Sequence, residues 1–135
     1  RLTDVTGVQT CALPIFGTFT GTSLTLDGGT TLEWELDGDG STSDLLALSG
    51  ALAKGAAGAW TFDFLGTGAV GTYTLITFAS TDFVEGDFTH SNLAGGLSGD
   101  LDVNANDLTL TVVPEPASLG LLGLLGVAVL LRRRP

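Results

Sequence analysis

The chain has 135 residues and a formal net charge of −10, and its five basic residues are Arg1, Lys54 and Arg132 to Arg134, so Lys54 alone faces the acids of the body. A polyanionic body of this kind excludes nucleic acid, whose phosphates need a basic footprint, and suits an exported protein kept in solution by its charge. Twenty glycines and one cysteine point to many turns and exclude a disulfide framework.

Residues 1–16 read as an assembly artefact. Positions 5 to 15, VTGVQTCALPI, resemble the in-frame translation of a common sequencing adapter, which places the native start at Phe16 or Gly17 and removes Cys11 from any chemistry. No methionine occurs in the chain, as expected of a processed chain or a fragment whose signal peptide would lie upstream.

Residues 17–113 read as a β-rich extracytoplasmic domain. LTL at 24–26, LEWEL at 32–36, WTFDF at 60–64, YTLITF at 73–78, LDV at 101–103 and LTLTVV at 108–113 alternate apolar with polar side chains, the period of a half-buried strand. Between them DGG at 27–29, DGDGS at 37–41, GTG at 66–68, SGD at 98–100 and NAND at 104–107 supply turn residues. The Ala- and Leu-rich stretch 43–59 is also helix-friendly, but its glycines favour strand, with a turn at Ser49 and Gly50. Leu32, Trp34, Leu36, Trp60, Phe62, Phe64, Tyr73, Leu75, Leu108, Leu110 and Val112 are the expected core. The fold class is all-β, either the end of a β-solenoid or a small β-sandwich, and a single C-terminal transmembrane helix follows it.

Little in this body carries chemistry. His90, the one histidine, reads as an exposed loop residue, and without a second histidine or a usable cysteine no nucleophilic triad has support. Asp37, Asp39 and Asp44 in DGDGSTSD are the candidate for a hard cation such as Ca²⁺. An EF-hand loop also needs an acid at its fifth position and a glutamate at its twelfth, and both are missing, so a solvated turn is the plainer reading. Glu33 and Glu35 share a strand face, as two glycosidase carboxylates would, but neighbouring acids on an exposed face are ordinary. The expectation is a non-enzymatic protein with no cofactor.

The tail differs from the body in every respect. Leu119 to Leu131 is an uncharged run with no polar face, in which Leu119, Leu121, Leu122, Leu124, Leu125, Val127, Val129, Leu130 and Leu131 are the anchoring side chains. As a helix it spans roughly 20 Å, and starting at Pro116 adds about 4 to 5 Å toward a ~30 Å hydrocarbon core. Arg132, Arg133 and Arg134 stop transfer on the cytoplasmic side, which leaves the β domain on the other. Ahead of the run, Val113, Pro114, Glu115 and Pro116 form an extended segment, because each proline disfavours helix for the residue before it.

In that order, triplet, apolar run, arginine cluster and chain end, residues 113–135 resemble the PEP-CTERM sorting signal of Gram-negative bacteria, with residues 114–135 as the signal proper. The resemblance implies an exosortase as partner, transient residence in the inner membrane, cleavage near Pro-Glu-Pro, and transfer to the cell surface or the extracellular matrix, where exopolysaccharide is a further partner. The body more loosely resembles the last strands of autotransporter-associated β-repeat proteins. These resemblances imply a surface or biofilm-associated structural protein. The alternative is the C-terminal fragment of a secreted enzyme or carbohydrate-binding protein whose site lay upstream.

Overall fold

A computed structural model describes residues 16–115, and within them every regular element is a strand. In chain order these are β1 (Thr18–Gly21), β2 (Leu24–Leu26), β3 (Thr31–Leu36), β4 (Leu45–Leu48), β5 (Ala51–Lys54), β6 (Trp60–Gly66), β7 (Gly71–Thr77), β8 (Ser80–Thr81), β9 (Phe88–Ser91), β10 (Leu97–Val103) and β11 (Asp107–Pro114). The expected transmembrane helix, Leu119 to Leu131 with its start at Pro116, and the segment 1–15 lie outside the described residues.

The first nine strands pair by threes. β4 lies parallel between β1 and β7, β5 between β2 and β8, and β6 between β3 and β9. The chain therefore winds as stacked three-sided coils, each strand resting on the one three places earlier. Successive coils are not of equal length: 27 residues separate Thr18 from its partner Leu45, whereas 30 separate Leu46 from its partner Ile76 on the same side. Unequal corners explain why no strict repeat is visible in the sequence. After β9 the winding stops, and β10 and β11 form an antiparallel hairpin laid against β7, so β7 has a parallel neighbour on one side and an antiparallel one on the other.

The alternating residues fill one interior. Trp34, Leu36, Trp60, Phe62, Phe64, Tyr73, Leu75, Leu108, Leu110 and Val112 are buried together as expected, while Leu32 is half-buried at the margin. Rings stack along the coil axis, with Trp34 edge-on to Phe62 at 5.4 Å and Phe62 tilted against Phe88 at 5.6 Å, and within the last coil Phe83 stacks on Phe88 at 4.7 Å. Strict alternation fails once. The register between β7 and β11 shifts between Leu108 and Thr109, and at that irregularity the consecutive residues Leu75 and Ile76 both turn inward.

Several sequence expectations need correction. The segment at 43–59 forms two strands around Ser49 and Gly50, as expected, but β1, β8 and β9 are too short or too polar to show a period of their own. SGD at 98–100 is not a turn; it lies inside β10, opposite Thr111 to Val113. His90 is not a loop residue either. It sits half-buried in β9, its Nε2 donating to the Gly99 carbonyl at 2.8 Å, which fixes the proton on that nitrogen.

Candidate sorting site at the terminal hairpin

The end of β11 carries the described part of the segment expected to act as a sorting signal, and its position follows from the hairpin that holds it. β10 and β11 turn at Asn104 to Asp107, where the Asn104 N–H donates to the Asp107 carbonyl at 2.8 Å and the Asn104 amide donates to the Asp107 carboxylate at 2.7 Å. From there β11 runs between β7 and β10, with Leu108, Leu110 and Val112 buried at 1 % exposure or less. Val112 is the last inward residue. Val113, Pro114 and Glu115 are exposed and carry the strand past the core.

They are nonetheless paired. Ser98 lies opposite Val113, Leu97 opposite Pro114, and the Glu115 N–H donates to the Gly96 carbonyl at 2.9 Å. Gly96 adopts φ 81° in the tight turn that leads into β10, where the Leu97 N–H donates to the Ala94 carbonyl at 3.2 Å, and only glycine takes that angle without strain. The sequence alone does not mark Gly96, Leu97 and Ser98 as the motif's neighbours, because SGD at 98–100 reads as a turn and interrupts the strand that β10 forms. The apolar Leu97, directly after the Gly95-Gly96 pair and four residues before Leu101, was the available signal. Pro116, the anchoring residues Leu119 to Leu131 and the arginines 132–134 lie outside the described residues.

The acidic candidates do other work. Asp39 accepts the Ser41 and Thr42 N–H groups at 2.8 and 2.7 Å and the Thr42 hydroxyl, and these bonds, the hydroxyl's first, lower its carboxyl pKa to about 2. Asp37 accepts the next residue's N–H, from Gly38, at 2.7 Å. Asp44 reaches away from both to the Gly17 and Glu35 N–H groups at 2.9 and 3.0 Å. Among the described residues no three His, Cys, Asp or Glu side chains are grouped as a metal ion would need. The carboxylates are turn and corner acceptors.

At the opposite end the first coil leaves an apolar recess of about 290 Å³, lined by Phe19, Leu24, Leu32, Trp34, Leu46 and Leu48. It holds no titratable group and offers no chemistry. Among the described residues no helix is long and apolar enough to cross a membrane.

Comparison with known proteins singles out the same end of the chain. The family model of the PEP-CTERM protein-sorting motif matches residues 112–134, a span that opens on the last buried residue of β11. This motif marks proteins directed to exosortase processing at the membrane and to the cell surface. No curated protein and no solved structure matches the chain.

Proposed function

We propose that the chain is a non-enzymatic structural protein of the bacterial surface or extracellular matrix, carried there by its own C-terminal signal. The described body is the closing end of a β-solenoid, whose stacked coils agree with the looser resemblance to autotransporter-associated β-repeats. The observation that carries the reading is the match at 112–134, continuous with the strand that completes the folded body.

The chemistry of the tail divides among its parts. Burial of the Leu119 to Leu131 side chains supplies membrane affinity at about 25 cal/mol per Å² of apolar surface. Arg132, Arg133 and Arg134 hold the end in the cytoplasm, because each costs roughly 2.5 to 3.5 kcal/mol at the bilayer centre on insertion scales. Pro114, Glu115 and Pro116 then lie at the outer face, within reach of an exosortase in the inner membrane of a Gram-negative cell. Matrix exopolysaccharide is the partner such a released body would meet.

The test is expression behind a signal peptide in a host that has an exosortase. The wild-type chain loses its tail and leaves the inner membrane. Pro114→Ala with Glu115→Ala stays uncleaved in the membrane fraction. Equal processing of the double variant would reduce the triplet to a linker.

A further inference from the structure

The body and the motif share a strand. Main-chain N–H groups alternate in direction along a sheet strand, so with Glu115 donating to Gly96, Val113 also faces β10 and position 114 faces the side of β7. There the β7 pairing ends, with Gly71 opposite Val112. Proline therefore occupies the one position of the three where a missing N–H removes no sheet bond. Pro114 is compatible with pairing, and the motif's first half is held as sheet.

An enzyme that takes an extended segment reads it through the same main-chain groups a neighbouring strand uses. Val113 is paired with Ser98 of β10, and the Glu115 N–H is taken by the carbonyl of Gly96, the residue before β10. Resting on the sorting function proposed above, we propose that the terminal hairpin selects the cleavage position. Gly96, Leu97 and Ser98 are positioning residues that close the bonds up to Glu115, so the tail is removed on the C-terminal side of Glu115. The hairpin is then released with every partner of β10 in place.

The full chain in an exosortase-bearing host tests this by intact mass of the released body. The expected C-terminal residue is Glu115 or a later one, and a body ending at Pro114 or earlier overturns the proposal. A second arm locks the hairpin. Ser98 and Val113 are opposed across an antiparallel pair, a separation of about 5.5 Å that a disulfide spans. Ser98→Cys with Val113→Cys is processed within about twofold as fast oxidised as reduced and ends at the same residue in both forms, because removal needs no opening. A drop of about tenfold or more, the scale of main-chain bonds that must first be broken, restored by reductant, shows that the enzyme peels β11 and overturns the proposal.

Hydrogen exchange on the uncleaved chain in detergent reads the pairing without the enzyme. The Glu115 amide exchanges at least about tenfold slower than in a peptide of residues 111–120, and exchange at the peptide rate overturns the pairing. Failure of the wild-type chain to lose its tail is a separate result: it defeats the sorting function, and this inference with it.

Discussion

Asp44 shows how single residues hold this protein together. One carboxylate oxygen takes the Gly17 N–H and the other the Glu35 N–H, while its own carbonyl takes the Trp34 indole N–H at 2.7 Å, so one residue ties the entry to β1 and the middle of β3 to the entry of β4. Asp27 and Asp82 act alike at the corners, accepting the Ala56 and Lys54 N–H groups from the neighbouring coil at 2.9 and 2.8 Å. These amides would otherwise face out of the sheets unpaired. Asp39 gives a pH signature. Its folded carboxyl titrates near 2 rather than the ordinary 3.8, so its contribution is complete above about pH 4 and is lost as pH falls through about 2. The Thr42 amide resonance should titrate with a midpoint near 2; a midpoint near 4 would show that the turn bonds do not hold in solution. Tyr73 makes a buried counterpart. Its hydroxyl accepts the Ala69 N–H at 2.7 Å and donates to the Asp37 carbonyl at 2.8 Å. Tyr73→Phe strands both groups and should cost about 1–3 kcal/mol in denaturant unfolding, against near-neutrality if water replaces the hydroxyl.

Between elements, the corners matter as much as the strands. The turn after β2 stacks on the turn after β5, with the Gly28 N–H donating to Ala56 O and the Gly29 N–H to Ala59 O, both at 2.7 Å. A Cβ on Gly58 would stand 2.7 Å from the Gly28 Cα, and one on Gly28 only 2.3 Å from the Ala57 carbonyl. Backbone cannot yield there as a flexible side chain would. Gly58→Ala should therefore destabilise by about 1–3 kcal/mol, lowering Tm by roughly 4–8 °C per kcal/mol for a domain of this size. An unchanged Tm would mean that the coils separate at this corner. The strands between corners are tied by their interior: Trp60 donates its indole N–H to the Leu26 carbonyl of the coil before at 3.1 Å, and its ring packs edge-on to Phe83 of the coil after at 5.0 Å. One side chain thus spans three coils.

At the scale of the whole molecule the two ends differ. The C-terminal end is covered by the β10–β11 hairpin, which adds Leu101, Leu108, Leu110 and Val112 to the core. Among the described residues β1, β2 and β3 at the N-terminal end are edge strands of their sheets, and Phe19 is 64 % exposed beside the apolar recess. An open edge with apolar side chains is a template for association, and charge is the usual counter to it. The acidic body supplies general repulsion, since Lys54, paired with Asp87 at 2.6 Å, is the only cation among the described residues. Concentrated samples of residues 16–115 should self-associate through this end, and Phe19→Lys should shift the sedimentation profile toward monomer with Tm unchanged. Identical profiles for the two proteins would place the association elsewhere.

Alternation such as LEWEL or LTLTVV needs only the local geometry of an extended chain, in which neighbouring side chains point to opposite faces, so strands, most of the core and the all-β class were legible in the sequence. The sorting motif was legible for a similar reason, because its triplet, apolar run and arginines are contiguous in the sequence. Partner choice is not local. Leucine or phenylalanine fills an inward position equally well in any coil, and coil lengths of 27 to 30 residues hide the repeat, so only closure of the whole chain decided that β1 stacks on β4 and β4 on β7. The short strands β8 and β9 exist because longer neighbours present edges to them, and Asp44 of DGDGSTSD became a corner acceptor because the Gly17 and Glu35 amides were brought within its reach. The pairing of Pro114 and Glu115 with β10 belongs to the same class: residues 96–98 border the sorting motif only once an antiparallel hairpin closes the last coil.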